Sequence, residues 1–195
     1  MIWDIKIILA IIATFIGIVA FFPYLKDTLN RKTKPHAYTW LIWALTQGTA
    51  VFAMLYAGGG IGAMNLAVGL FFVFAVFLFS LKYGTKDITK SDTIVLALAI
   101  CAILVWWQLG KPLISVIMVS SIDFLGYIPS FRKTYKQPWS KTLPSWALFA
   151  LSNVFAILAL REYNVLTLTY IITITLANLL IFFICLLRRP FVKNE

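Results

Sequence analysis

Charged side chains are scarce in this sequence. Of its 195 residues, 12% are charged and 62% are hydrophobic, whereas an ordinary soluble domain is about one quarter charged and about half apolar. A soluble fold could not bury that much apolar surface. The composition therefore predicts an all-α, multi-pass integral membrane protein with no separate soluble domain. Its expected partner is the lipid bilayer that surrounds it.

Cysteine and histidine are rarer still, which limits the chemistry. The two cysteines, Cys101 and Cys185, lie in apolar runs without a CxxC spacing, and the one histidine, His36, lies in a basic loop. We expect both thiols to be buried and inert, and His36 to be solvated. We find no cluster of metal ligands, no pair of nucleophile and base, and no phosphate loop at glycines 58–60. We therefore expect no metal site, no cofactor and no enzymatic activity.

Acidic residues are few beside the basic ones. Seven acidic and 17 basic residues give a formal net charge of +10. Such a charge can indicate nucleic-acid binding, but these basic residues form short clusters between apolar runs, where anionic lipid headgroups would meet them. The charge therefore favours a membrane surface and argues against nucleic acid as a partner.

Apolar runs separated by polar or glycine-rich breaks predict seven transmembrane helices, since a span needs about 20 apolar residues. The amino-terminal run lacks a convincing signal-peptide cleavage site, so we interpret it as a retained helix. The predicted spans cover residues 5–29, 37–57, 61–82, 92–109, 112–134, 142–160 and 164–187.

The basic residues also predict the orientation of these spans, because lysine and arginine are retained on the cytoplasmic side. Only Lys6, Lys111 and Arg161 fall on one side of the predicted bundle, and the other fourteen of the 17 basic residues fall on the opposite side. We therefore expect the amino terminus outside and the carboxyl terminus in the cytosol, in a plasma (inner) membrane.

A weak internal repeat emerges when the sequence is shifted by 106 residues, so that residues 13–82 overlie residues 119–188. Spans one to three then match spans five to seven. The shift predicts two parallel three-helix units, residues 1–90 and 111–195, joined by a linker span in residues 91–110. Matched or chemically similar pairs include Pro23/Pro129, Lys26/Arg132, Thr28/Thr134, Trp40/Trp146, Trp43/Phe149, Thr46/Ser152 and Gln47/Asn153.

This 3+1+3 plan, with a proline and a basic loop in each unit, resembles the PQ-loop and SWEET-like transporter superfamily. The segments that carry the resemblance are FFPYLKDTLNRKTKPHAYTW and YIPSFRKTYKQPWSKTLPSW. The signature ProGln pair reads Pro23-Tyr24 and Pro129-Ser130, so both glutamines are missing. The resemblance implies alternating access, with Pro23 and Pro129 as hinges. Proline also weakens a helix by removing a hydrogen bond, although a static kink is the alternative.

Two spans carry the same pattern of two aromatic residues and an amide at positions i, i+3 and i+7, which share one helix face. Flat rings beside an amide suit a small, largely neutral polar solute. For the two outer tryptophans, an interfacial aromatic belt is the alternative. The residues are Trp40, Trp43 and Gln47 on the second span, and Trp146, Phe149 and Asn153 on the sixth.

The resemblance further implies binding asparagines on the third and seventh spans, where Asn65 and Asn178 lie. A structural hydrogen bond between helices is the alternative for either. Asp123 is the one acidic residue well inside a predicted span, where an ionised carboxylate needs a partner or water. We interpret it as a site that binds a coupling proton or cation, or that recognises a positively charged substrate. The alternative is a protonated or hydrogen-bonded structural carboxyl group.

Together these patterns predict a transporter or facilitator of a small polar solute, such as a sugar, nucleoside or vitamin, working by rocking of the two units. Two other classes stay open. One is a receptor of the KDEL-receptor type, which has a charged pocket for a peptide end. The other is a structural or lipid-interacting bundle without a cavity.

Overall fold

The computed structural model describes residues 2–31, 35, 37–84, 90–109 and 111–193. These residues form an all-α structure whose helices coincide with the predicted apolar runs to within about three residues at each end. His36 lies outside the described residues. The seven α-helices of the described part are α1 (Ile2–Leu29), α2 (Ala37–Tyr56), α3 (Met64–Tyr83), α4 (Lys90–Leu109), α5 (Pro112–Lys136), α6 (Leu143–Ala159) and α7 (Val165–Arg188).

Three helical stretches, Ile5–Leu29, Gly60–Tyr83 and Val165–Phe191, are long and apolar enough to cross a bilayer. The outer surface supports the same environment. Phe15, Phe52 and Phe71 are 66%, 67% and 70% exposed, respectively, while polar side chains such as Asn65 and Asn153 are buried. Large exposed apolar rings around a partly polar interior indicate that the protein is associated with a membrane.

The helices pack in two similar sets. In the first, α3 contacts both α1 and α2; in the second, α7 contacts both α5 and α6. The sets meet crosswise, because α1 packs on α6 and α2 packs on α5, while α4 contacts α5 and α2. The first helix of each set thus lies against the second helix of the other.

At one end of the bundle, the turn at residues 57–63 packs tightly on the turn at residues 160–164. We call this the glycine end. Arg161 N donates to Gly59 O at 3.2 Å, and Asn164 Nδ2 donates to Ala57 O at 3.0 Å. Gly62 is required by the close approach, since a Cβ there would lie 2.7 Å from Leu160 Cα. These contacts join the first set of helices to the second.

Lys6 adds a third link at the glycine end. Its ammonium group donates to Leu160 O and, at 3.4 Å, to Arg161 O. These carbonyls follow the last turn of α6, where the helix dipole favours a positive charge. Lys6 thereby ties α1 to the carboxyl end of α6.

Two other predictions can be compared with the structure. Cys185 is buried, as expected, but Cys101 is exposed on α4, so the prediction that both thiols are buried is wrong for Cys101. The apolar residues around Cys101 in the sequence therefore include residues on the outer surface of α4.

The helices α1 and α5 continue through Pro23 and Pro129, so neither proline ends its helix.

Candidate solute cavity

A cavity of about 810 Å³ lies between the two sets of helices. It extends from the buried middle of the bundle to four residues at the end opposite the glycine end: Arg31, Pro35, Lys141 and Thr142. We call these four residues the mouth. The predicted residues that line the cavity are Trp40, Trp43, Gln47, Asn65, Asp123, Trp146, Phe149, Asn153 and Asn178. The aromatic and amide patterns of α2 and α6 therefore face one shared space.

Pro23, one of the two predicted hinges, is not among the described residues that line the cavity. Along α1, Pro23 lies nearer the mouth end than Gly17, and along α5, Pro129 lies nearer the mouth end than Asp123.

Aromatic rings form much of the lining. Trp40 and Trp146 are 7% and 9% exposed, respectively, and both belong to the cavity lining. Trp40 and Trp43 meet edge to face with ring centroids 5.1 Å apart, and Trp146 and Phe149 do the same at 6.3 Å. Such pairs stabilise each other and hold the rings in fixed positions.

Two further lining rings, Phe21 and Tyr127, pack on these four. We call the six rings together the aromatic wall: Phe21, Trp40, Trp43, Tyr127, Trp146 and Phe149. Tyr127 of α5 stacks on Trp43 with centroids 5.3 Å apart, and Phe21 of α1 packs on Phe149 at 4.8 Å. Phe21 and Tyr127 are 106 residues apart, as are Trp43 and Phe149. The two ring pairs are therefore equivalent under the sequence repeat.

The amides predicted to bind solute also hydrogen-bond to the protein. Gln47 Nε2 donates to Leu66 O at 2.7 Å, and Asn65 Nδ2 donates to Asn153 Oδ1 at 3.2 Å. The Ser152 hydroxyl lies 2.9 Å from Asn65 Oδ1 and 2.8 Å from Ala13 O. A polar network thus joins α1, α3 and α6 at the inner part of the cavity.

Asn178 is placed beside the aromatic wall. Its Oδ1 accepts a hydrogen bond of 3.3 Å from the Tyr127 hydroxyl. Asn178 also lines the cavity. Asn178 therefore makes the interhelical hydrogen bond that the sequence left open as an alternative, and its role in binding stays a prediction.

Asp123 is 2% exposed and lies where α2, α5 and α7 meet. The Thr46 hydroxyl donates to its Oδ1 at 2.5 Å, a length typical of a charge-assisted bond. The Tyr170 hydroxyl also hydrogen-bonds to the carboxyl group. Two hydroxyl donors from neighbouring helices therefore stabilise a negative charge at this position.

Gly17, the repeat counterpart of Asp123, occupies the equivalent place in the other set. A Cβ on Gly17 would lie 3.0 Å from Ser152 Oγ and 2.7 Å from Asn65 Oδ1. Ser152 is itself the counterpart of Thr46. A hydroxyl thus faces an acceptor in both halves, but the acceptor is a carboxyl group in one half and the amide of Asn65 in the other.

The mouth carries the positive charges of the cavity. Lys141 Nζ lies 5.5 Å from the centroid of the Trp146 ring and 3.4 Å from Ser130 Oγ. Beside it, the Thr142 hydroxyl donates to Asp27 Oδ2 at 2.8 Å. That bond joins the end of α1 to the start of α6 across the mouth.

Several residues of the site were not predicted as site residues. Phe21, Thr46, Tyr127, Ser152 and Tyr170 all take part, although Thr46 and Ser152 were already matched by the repeat. Tyr127 follows Asp123 by four residues and so shares its helix face. Extending the 106-residue comparison to positions 21 and 127 would have found the ring pair. Tyr170 has Met64 as its counterpart, so the repeat gave no signal for it.

The chain matches no protein-family model, no curated protein and no solved structure. Fold and site together define a class: a membrane-associated α-helical protein with an internal cavity lined by aromatic rings, amides and one carboxyl group.

Proposed function

We propose that this protein is a membrane transporter or facilitator that moves a small polar solute by alternating access. In this proposal all seven helices span the membrane as two three-helix units joined by α4, and the protein is a divergent relative of the PQ-loop and SWEET-like superfamily. The observation that carries the proposal is the shared cavity, onto which the aromatic and amide patterns of both units converge. Its volume of about 810 Å³ lies within the range of small-molecule sites.

The two ends of the bundle support an alternating mechanism. Hydrogen bonds between the turns close the glycine end, while the lining reaches the mouth. By the distribution of lysine and arginine, the mouth faces the cytosol. The conformation is then inward-facing, and rocking of the units about Pro23 and Pro129 would break the glycine-end contacts and close the mouth.

Asp123 is the proposed coupling residue, because Thr46 can serve both of its charge states. Thr46 Oγ1 lies 2.5 Å from Asp123 Oδ1 and 3.1 Å from Ile42 O. When the carboxyl group is ionised, the Thr46 hydroxyl donates to it. When Asp123 is protonated, it donates to Thr46 Oγ1, and the hydroxyl turns to Ile42 O. A proton can therefore bind without leaving an oxygen unsatisfied.

The alternatives are weaker for this chain. A purely structural bundle would close its interior with packed side chains, whereas here the cavity remains. A receptor for a charged peptide end would need basic groups deep in the pocket. The basic residues that line the described cavity are Arg31 and Lys141, both at the mouth.

The test is uptake of radiolabelled sugars, nucleosides and vitamins into sealed proteoliposomes, with and without a pH gradient. We expect saturable uptake of at least one solute that depends on the gradient in the wild type and loses this dependence in Asp123→Asn. Glu162→Gln, at an exposed carboxylate beside the glycine end, is the matched control and should behave like the wild type. Absence of any uptake by well-folded protein would contradict the proposal.

A further inference from the structure

Among the described residues, no basic side chain contacts the Asp123 carboxyl group. The interactions of this carboxyl group among the described residues are with Thr46, Tyr170 and Tyr127, and none is with a lysine or arginine. Two hydroxyl donors stabilise an ionised carboxylate without neutralising it. Inside a membrane an uncompensated charge is costly, so the carboxyl group is neutral with a proton bound or, when ionised, favours a cation from outside the protein.

The rings around this carboxyl group add to the attraction for a cation. The electron-rich faces of tryptophan and tyrosine attract a positive charge within about 6 Å. Tyr127 is near enough to Asp123 to interact with it electrostatically, and the Trp43 ring stacks on Tyr127. At the mouth, the Lys141 ammonium already lies 5.5 Å from the Trp146 centroid, so this wall holds one cation of the protein itself.

One polar atom of the wall is left for the solute. Trp43 Nε1 is buried and has no hydrogen-bond partner in the described structure, although its ring lines the cavity. A buried donor without a partner is unfavourable, and an acceptor oxygen on a bound solute would satisfy it. Thr46 follows Trp43 by three residues on α2, which is less than one helical turn. The Thr46 hydroxyl in turn hydrogen-bonds to Asp123 of α5. The carboxylate and the donor can therefore contact one small molecule.

We propose that the solute is a small organic cation, with a quaternary or protonated amine that binds at Asp123 and the aromatic wall and an oxygen acceptor that binds Trp43 Nε1. This inference rests on the proposed transport function, but the binding site can be tested without transport. Among the described lining residues, an anionic solute would find basic groups only at the mouth, whereas the inner cavity offers a carboxylate and ring faces.

The test compares probes that differ only in charge. Choline and 3,3-dimethylbutan-1-ol have the same shape, but the second has carbon in place of the ammonium nitrogen. The flat cation 1-methylnicotinamide and its neutral isostere 3-methylbenzamide form a second pair. Binding of all four to the purified detergent-solubilised protein is measured by calorimetry. We expect at least one cation to bind about tenfold more tightly than its isostere.

Variants separate the two contacts. Asp123→Asn should reduce the preference for the cation to about threefold or less, because it removes the charge but keeps the shape of the side chain. Trp43→Phe should weaken binding of both the cation and its isostere, because it removes the donor, and should weaken binding of the cation further, because phenylalanine attracts a cation less than tryptophan does. Glu162→Gln is the matched control for loss of a carboxylate and should leave the preference unchanged.

Three results would overturn the cation proposal. They are equal affinities within both pairs, tighter binding of the neutral isosteres, and no binding of either cation at millimolar concentration. These comparisons use the wild type and so do not depend on how a variant folds. Saturable uptake of a neutral sugar without any cation preference would also overturn it, while leaving the transporter intact. Selective binding of a cation without uptake would support the site and contradict transport.

Discussion

Thr46 donates a hydrogen bond of 2.5 Å to Asp123, across the contact between α2 and α5. The same place in the other set of helices is occupied by Ser152 of α6 and Gly17 of α1, with Asn65 supplying the acceptor. The crosswise packing of the two sets thus brings a hydroxyl to an acceptor twice. Only one of the two acceptors can change its charge, so binding of a proton or cation would act on one half of the bundle.

This pair predicts a measurable coupling energy. We expect Thr46→Val to lower the free energy of unfolding by about 1–2 kcal/mol, because the buried carboxyl group loses a charge-assisted donor. When Thr46→Val is made in an Asp123→Asn background, the free energy of unfolding should fall by less than about half as much. The measurement is a double-mutant cycle, with unfolding in mixed micelles of mild detergent and dodecyl sulfate followed by circular dichroism.

Thr28→Val is the control for this cycle. Thr28 is also buried, but among the described residues its hydroxyl bonds only to Tyr24 O of its own helix, at 2.9 Å. We expect it to change the unfolding free energy by less than about 0.5 kcal/mol and to show no coupling to Asp123. A coupling energy near zero between Thr46 and Asp123 would mean that their bond does not contribute to the folded state.

Gly17 should be intolerant of even one added methyl group. In Gly17→Ala the new Cβ would lie 2.7 Å from Asn65 Oδ1 and 3.0 Å from Ser152 Oγ. The two side chains would have to separate, so we expect a loss of about 1–3 kcal/mol in the same unfolding assay. Gly48→Ala changes helix propensity by the same amount, but a Cβ on Gly48 would have its nearest contact with Leu70 Cδ2, at 3.8 Å. That control should be as stable as the wild type or more so.

The helices could be predicted from the sequence because each apolar run has nearly the length of its helix, and glycine or basic turns separate the runs. The convergence of Trp40, Gln47, Trp146 and Asn153 on one cavity followed from the repeat and the helical period. Spacing within one helix determines which residues share a face, and the repeat then pairs the two faces.

Other features depend on contacts between distant segments. The bond between Asn65 and Asn153 and the meeting of Tyr170 with Asp123 join helices that the repeat does not relate. The exposure of Cys101 could not be read from hydropathy. In a protein surrounded by lipid, the outer surface and the packed interior are both apolar, so hydropathy does not distinguish them.

The reactivity of Cys101 tests which side of α4 is exposed at the outer surface of the protein. Because it is exposed and Cys185 is buried, N-ethylmaleimide should modify one thiol of the folded protein in mild detergent and a second only after denaturation. Intact-mass measurement counts the adducts. Cys101→Ser should abolish the modification of the folded protein, whereas Cys185→Ser should not. Rapid modification of both thiols in the wild type would contradict the packing of α7.

The last prediction concerns the glycine end, which must open if the protein alternates between two faces. Lys6→Met removes the hydrogen bonds to Leu160 O and Arg161 O and the positive charge at the end of α6. A charge at a helix end contributes about 0.3–1 kcal/mol, and up to about 2 kcal/mol when partly buried. The outward-facing population should therefore rise about two- to thirtyfold.

A cysteine at Thr14 reports this population, since Thr14 lines the cavity and its hydroxyl donates to Ala10 O of its own helix. In a Cys101→Ser, Cys185→Ser background, a membrane-impermeant thiosulfonate is added outside sealed vesicles with the amino terminus outward. Thr14→Cys should react several times faster when combined with Lys6→Met. Lys111→Met, at an exposed lysine on the same predicted side, should leave the rate unchanged. Equal rates in both variants would show that Lys6 does not hold the glycine end closed.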